Sequence, residues 1–342
     1  MEPHDARHRC PPISERTEPA DALRRVAAWY FANVYGRTEG PGTLPFYCDP
    51  SRVGAFAVES GELARGEPPA LFRLFVALSM FQALRDVVIM RQQRTMTAEE
   101  AESLVSATIL ELRLERHDCE HLASAEMFES RCDVHKDRTG VDCRSRPGVE
   151  CHVKAATCLF RRMGDMGKLP TSAWLRAWKD GALARVLAVV QQGEPNPQRR
   201  AEQLVEHFAQ VHRVGRKLAT MFVSALSTPA LAPGLTPWAP DVDGNRLLVV
   251  DTNVARAVDA LRPPGAVRSY EARAAWLREQ AAQVNLREFR DDVPACSPRL
   301  VQQALYHFCS KSNREAQGLD CRGASLSCEV CAPSLCPLRR AV

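Results

Sequence analysis

The chain has no apolar run long enough to span a bilayer, which excludes a transmembrane role for any of its helices. Its first residues, MEPHDARHRCPPISERTEPAD, contain no apolar h-region. That sets a secretory signal peptide aside and leaves a polar tail expected to be mobile. No internal repeat recurs at a fixed period, so the sequence carries no mark of a stacked-repeat architecture. Neither sign of charge is scarce. Lys+Arg number 45 against 41 Asp+Glu, a formal net charge of +4, which permits a polyanionic partner without demanding one. Nothing points to an oxidising compartment. The thirteen cysteines therefore speak for metal or catalysis rather than disulfides, in a cytoplasmic protein or, in a bacterium, a nucleoid-associated one. At 342 residues the chain is long enough for two domains, and 45% hydrophobic with 25% charged residues is ordinary for a globular protein.

What is present is concentrated at the C-terminus. Cys321, Cys328, Cys331 and Cys336 lie in one short polar segment, GLDCRGASLSCEVCAPSLCPLRR. Six residues separate the first two, two the middle pair and four the last pair. Four thiolates that close, on a backbone with little apolar content, read as a metal site holding zinc or an iron–sulfur cluster. One CxxC with longer flanking arms favours the cluster over two zinc knuckles. A disulfide-stapled tail is the competing reading.

The rest reads as almost entirely helical. ADALRRVAAWYFANVYG has helical apolar spacing and ends at Gly36. Residues 41–68 are rich in Gly and Pro and read as loop. PPALFRLFVALSMFQALRDVVIMRQQ reads as one buried helix or two. Thr97 with Glu100 forms a capping box opening a helix to about Glu115. Thr171 or Ser172 is expected to start a helix at Ala173–Lys179. Helices are expected over Ala182–Gln192, Gln198–Val211, Arg216–Leu226, Thr252–Leu261 and Tyr270–Val284. Ser297 and Pro298, an N-cap followed by proline at N1, open the last, to about Lys311. Residues 228–246 carry four prolines and the turn signal DVDGN.

FAQVHRVGRKLATMFVSAL carries the second signal. Gly215 sits in the turn, and Val211, Val214, Phe222 and Val223 supply packing. A tight hairpin turn followed by the positive end of a helix suits a phosphate, and Arg213 and Arg216 add charge there. Lys217 lies in the first turn of the second helix. A helix N-terminus disfavours a cation, which helps an amine act as a nucleophile. Downstream, LLVVDTNVARAV places Asp251 at a helix start, where an anion is stabilised and a cationic sugar transition state finds a partner. The plainer alternatives are a solvated surface lysine and an N-cap aspartate.

Taken in order, a hairpin with its lysine, then VDT, then a terminal four-cysteine loop resembles the endonuclease III-like DNA glycosylases of the helix-hairpin-helix superfamily. The family hairpin, approximately LPGVGRKTA, stands here as VHRVGRKLA over residues 211–219. By resemblance, Lys217 is the attacking lysine and Asp251 the active-site aspartate. Cys321, Cys328, Cys331 and Cys336 would ligate a [4Fe-4S] cluster. The helix around LFVALSMFQALRD looks like the one ahead of the family's DNA-penetrating loop, with Phe81 or Gln82 as wedge. Gln82, Arg213, Gly215 and Arg216 become the DNA-contacting set. The resemblance covers residues 198–336 and, loosely, 70–90.

The implied fold is all-α, with two helical lobes and the active site in the cleft between them. Residues 68–227 would form a helical barrel lobe, with the helix-hairpin-helix at 198–226. Residues 21–67 and 228–342 together would form the cluster lobe, behind a polar tail at 1–20. The implied activity is excision of a damaged or modified base from duplex DNA by a monomer, with abasic-site lyase chemistry through a lysine Schiff base. Four departures stand out: Arg213 replaces the first hairpin glycine, Asn253 replaces the family histidine, the Pro-rich stretch 228–246 is inserted between Lys217 and Asp251, and the cluster loop is one residue short. A monofunctional glycosylase, or a non-catalytic DNA- or RNA-binding protein on the same scaffold, are the alternative readings.

Residues 117–158 hold a Cys/His-rich insert: His117, Cys119, His121, Cys132, His135, Cys143, Cys151, His152 and Cys158. The spacings match no familiar pattern. A zinc site with Cys132 and His135 as a knuckle is one reading; free thiols and histidines, some buried, are the other.

Overall fold

The fold is described from a computed structural model, for residues 18–116, 119–132, 134, 142–143, 146–160 and 166–310. It is mostly helical. The chain divides into two compact units. Unit 1 takes residues 1–43, 228–233 and 243–342, and unit 2 takes 44–227 and 234–242. Two stretches depart from the expected lobes. Residues 44–67 belong to unit 2, where the Arg73 guanidinium donates to the Ala55 carbonyl at 2.7 Å. Residues 234–242 also belong to unit 2, because Trp238 stacks on Phe208 and meets Phe222 edge-on, with ring centroids 6.2 and 5.6 Å away.

The chain opens with α1 (Glu18–Asn33), then enters unit 2 with α2 (Pro50–Val53), α3 (Ser60–Ala64) and α4 (Pro68–Ser79). Next come α5 (Asp86–Thr95), α6 (Ala98–Val105), α7 (Ala107–Glu115) and α8 (Ala125–Arg131). A short antiparallel hairpin, β1 (Asp142–Cys143) and β2 (Arg146–Glu150), interrupts the helices. Then follow α9 (His152–Leu159), α10 (Lys168–Ala173), α11 (Ala182–Gly193), α12 (Pro197–Phe208) and α13 (Gly215–Ser227). Unit 1 is completed by α14 (Thr252–Leu261), α15 (Tyr270–Ala281) and α16 (Pro298–Cys309). No helix among the described residues is long and apolar enough to cross a membrane.

Several boundaries follow directly from local chemistry. Thr97 and Glu100 exchange side-chain bonds with each other's backbone N–H at 3.1 and 2.9 Å, a complete capping box. The helix it opens stops early, because Ser106 leaves helical geometry and caps α7 through the Ile109 N–H. The apolar stretch from Pro68 breaks between Ser79 and Asp86, giving α4 and α5. Residues 41–68, expected as loop, hold α2 and α3. Neither Thr171 nor Ser172 starts a helix. α10 begins at Lys168, a first turn tolerates Pro170, and Ser172 spends its hydroxyl on Glu129 and on the His212 N–H.

Unit 1 packs α1 and α14 each against α15 and α16, over a core that includes Leu23, Val26, Tyr30, Val254, Val258, Leu277 and Leu305. Beside it runs a polar network. Glu39 accepts from the Tyr30 hydroxyl at 2.7 Å and from the Gln303 amide at 2.7 Å, and pairs with His307 at 3.1 Å. Burial alone would raise the Glu39 pKa. His307, Tyr30 and Arg299 outweigh it and hold the carboxyl below the ordinary carboxylate value. Unit 2 centres on aromatic rings from four elements. Phe75, Trp178, Phe208 and Phe222 meet at centroid distances of 4.9–6.3 Å. Edge-to-face and tilted contacts of this kind add to the area they bury.

Candidate functional site

The strongest candidate is the turn between α12 and α13. Asn196 caps α12 by accepting from the N–H groups of Gln198 and Arg199, and Pro197 occupies N1. α12 ends with Phe208 buried, and the Val214 N–H closes the turn onto the Val211 carbonyl at 3.0 Å. Val211 and Val214 are buried beneath it. Two residues of the turn stand in the left-handed region, Arg213 at φ +65° and Gly215 at φ +59°. Arg213 thus stands in a conformation that glycine adopts freely, at a cost of roughly 1–2 kcal/mol for an L-residue in that region. A Cβ on Gly215 would meet nothing within 4 Å, so the glycine serves backbone conformation rather than space.

α13 then starts with Gly215, Arg216 and Lys217 and has no acidic residue in its first turn. The positive helix end thus has no carboxylate in its own first turn, and two exposed arginines, Arg213 and Arg216, lie beside it. The other face of α13, with Leu218, Ala219, Phe222, Val223 and Leu226, is buried.

Lys217 brings a second segment to this turn. Its Nζ donates to the Phe81 carbonyl at 2.9 Å. That carbonyl lies in the break between α4 and α5, so the segment carrying Gln82 sits against the hairpin lysine within unit 2. Phe81 itself is buried and packs edge-on against Phe46. It is a core residue and not a wedge. Gln82 is half-buried, and its amide donates to the Ser79 carbonyl at 2.6 Å. Ala83 follows at φ +61°, reversing the chain.

Asp251 belongs to unit 1. It caps α14, accepting from the Val254 N–H at 2.7 Å on one oxygen, while the other takes the Asn253 amide at 3.4 Å. Asn253 in turn accepts from Arg256 at 2.7 Å. The apolar run ahead of Asp251 is pinned by α15 and α16. The Tyr270 hydroxyl donates to the Leu248 carbonyl at 2.7 Å, and the Val249 N–H donates to Gln302 at 3.2 Å. The carboxylate thus stands on a rigid, buried support.

The hairpin is also tied to the Cys/His insert. Glu129 of α8 forms a two-pronged pair with Arg176, at 2.7 and 2.6 Å, and accepts from the Ser172 hydroxyl. The same hydroxyl accepts from the His212 N–H at 2.9 Å, at the start of the hairpin turn. Burial would raise the Glu129 pKa, but Arg176 and Ser172 hold it below the ordinary value. Sequence reading missed this link. Its one visible trace was Ser172, which was read as a helix cap.

Within the insert, Phe128, Val134, Cys151 and Val153 form a small core, with Leu122, Cys132, Cys143 and Leu175 packed against it. Burial pushes the Cys132 thiol up to about 12, the neighbouring thiols Cys151, Cys119 and Cys143 push the same way, and Lys168 opposes them. Burial also raises Cys151, opposed by the nearby backbone N–H groups of Lys154 and Val153. Among the described residues no three His, Cys, Asp or Glu side chains stand at metal-holding geometry. His135 and His117 lie outside the described residues, as do Cys321, Cys328, Cys331 and Cys336. Compared with protein-family models, with curated proteins and with solved structures, the chain matches none.

Proposed function

We propose that the protein is a DNA glycosylase that turns a damaged or modified base out of duplex DNA and excises it, with lyase chemistry at Lys217. The observation that carries this reading is the hairpin turn. Arg213 and Gly215 both stand in the left-handed region, and the start of α13 presents Arg216 and Lys217 with no acidic residue in its first turn. A backbone turn and helix end of that kind hold one phosphate of a nucleic-acid strand. The segment at Gln82, resting against Lys217, then lies where a strand held by the hairpin passes. Extruding a base from the stack costs a few kcal/mol, and a side chain entering the gap offsets part of that.

In the proposed reaction the glycosidic C–N bond breaks as the base leaves with a proton. The Asp251 carboxylate stabilises the positive charge that develops on the sugar. The unprotonated Lys217 amine attacks C1′, loses a proton and, as the sugar ring opens, becomes an iminium linkage. Removal of a C2′ proton then breaks the C3′–O bond and nicks the strand. The amine must first leave the Phe81 carbonyl. Both side chains must reach one nucleotide for this sequence to run. Cys321, Cys328, Cys331 and Cys336 would hold a [4Fe-4S] cluster, to which we assign no chemical step.

A second reading, in which water attacks and Lys217 only holds the DNA, is favoured by one observation: Nζ is already engaged by a backbone carbonyl. Borohydride trapping separates the two. Wild-type protein and Lys217→Ala are incubated with duplexes carrying an abasic site, uracil, oxidised pyrimidines, 8-oxoguanine or alkylated bases. A covalent adduct that vanishes in the variant supports the lyase. Base release without an adduct supports attack by water. Neither on any duplex would sink the glycosylase reading and leave a binding module.

A further inference from the structure

We infer, on the reading that the hairpin turn holds a DNA phosphate, that Glu129 of the insert is the positioning residue of that turn, so that folding of the insert and binding of DNA assist one another. Glu129 lies on α8, outside the two helices that make the hairpin but in the same unit, and its side chain is 17% exposed. One carboxylate oxygen accepts from the Ser172 hydroxyl and, at 2.7 Å, from Arg176 Nε. The other accepts from Arg176 Nη2 at 2.6 Å. The Glu129 backbone carbonyl lies in the last turn of α8, whose carbonyls lack helical partners, and takes the Lys168 Nζ at 2.7 Å. Lys168, Ser172 and Arg176 recur every four residues, a spacing that puts them on one helix face. They run from α10 into a single π turn at Trp174–Trp178, a kind of irregularity frequent at functional sites. One residue of the insert thus holds three residues of that face.

Ser172 passes the constraint on to the turn. A hydroxyl has one proton and two lone pairs. The Ser172 proton is committed to Glu129, which leaves the oxygen to accept the His212 N–H at 2.9 Å. Ser172 is fully buried, so water does not compete for that oxygen. His212 is followed by Arg213, whose left-handed backbone is costly and persists only where its surroundings over-determine it. The bond from the Val214 N–H to the Val211 carbonyl fixes the turn from within. The chain Glu129–Ser172–His212 fixes it from outside. Holding the turn in shape readies it for a phosphate, and by linkage a phosphate in the turn stabilises the insert by the same factor. Glutamine at position 129 would keep the side chain's shape but offer one acceptor oxygen to donors that now share two.

The test is equilibrium binding of a duplex carrying a tetrahydrofuran abasic site to the full chain, as wild type, Glu129→Gln and Glu120→Gln, each below its thermal transition. Glu120 is exposed in the same insert, so its variant removes the same charge. Losing an anion by itself strengthens binding to a polyanion. Glu120→Gln should therefore bind at least as tightly as wild type, whereas Glu129→Gln should bind about tenfold more weakly. Amide exchange at His212 in the free protein should quicken in Glu129→Gln and not in Glu120→Gln. Because Glu129→Gln can unfold α8 outright, Ser172→Ala, which leaves the Glu129–Arg176 pair in place, is measured beside it and should show the same weakening. In wild type, DNA should slow exchange at residues 125–132, and Ser172→Ala should abolish that slowing. Wild-type affinity in both Glu129→Gln and Ser172→Ala would overturn the positioning role and leave the hairpin reading standing. An equal loss of affinity in Glu120→Gln would also overturn it. A wild type that binds no duplex would overturn the coupling together with the hairpin reading, and exchange at His212 would then report separately whether Glu129 holds the turn.

Discussion

Exchanging Arg213 and Gly215 for the residue type opposite to each tests the hairpin turn directly. Both positions are left-handed, at φ +65° and +59°. An L-residue there costs roughly 1–2 kcal/mol, while a glycine gives back about 0.5–1 kcal/mol through the greater freedom of its unfolded chain. Gly215→Ala should therefore destabilise by about 1 kcal/mol, since the added Cβ meets nothing within 4 Å and only the backbone term acts. Arg213→Gly should gain about 0–1 kcal/mol. For a unit of this size 1 kcal/mol moves Tm by about 2–4 °C. Thermal unfolding followed by tryptophan fluorescence suits the measurement, because Trp174, Trp178 and Trp238 all belong to unit 2. The stabilised Arg213→Gly protein should nonetheless bind duplex DNA less tightly, with a salt slope reduced by about 0.9. A Gly215→Ala protein with unchanged Tm, or an Arg213→Gly protein several degrees less stable, would refute the account of the turn.

Other expectations are briefer. Phe222→Ala should cost about 3–5 kcal/mol, because it empties the centre of the aromatic cluster; urea unfolding measures it. Ser172→Ala should cost about 1–3 kcal/mol by leaving the His212 N–H without its acceptor, and hydrogen exchange at His212 should quicken. Glu39 has a lowered pKa in the folded state. Its contribution is thus complete above the unfolded value of about 4.5 and is lost as pH falls through the folded one. Glu39→Gln should flatten that acid limb of the stability profile, and an unchanged limb would remove Glu39 as its source. Asp251→Asn should slow base release strongly while leaving DNA affinity near the wild-type value, read by single-turnover kinetics and equilibrium binding.

Where a residue's partner lies nearby in sequence, the structure was legible beforehand. Thr97 and Glu100 are three apart, and so are Ser297 and the Leu300 N–H it caps; both ends are where pattern reading puts them. Where the partner is remote, pattern reading failed. Ser172 carries the signature of a cap, but its hydroxyl serves Glu129 and His212, about forty residues away on either side. The stretch from 228 to 246 reads as loop from its prolines, and nothing local announces that Trp238 completes the aromatic cluster. At the candidate site, Gly215 was visible as a turn residue because positive φ has a residue signature, whereas the left-handed Arg213 carries none. The bond from Lys217 to the Phe81 carbonyl was not, because a backbone acceptor leaves no trace in side-chain identity.

The way the two units are cut from the chain bears on how it is made. The polypeptide passes from one unit to the other at 43–44, 227–228, 233–234 and 242–243. Residue 242 is the last that unit 2 needs, so it can fold while the ribosome is still at work. α1 is made before α16, whose Leu300, Val301, Ala304 and Leu305 share its core. α1 therefore waits for α16 before the core of unit 1 can close.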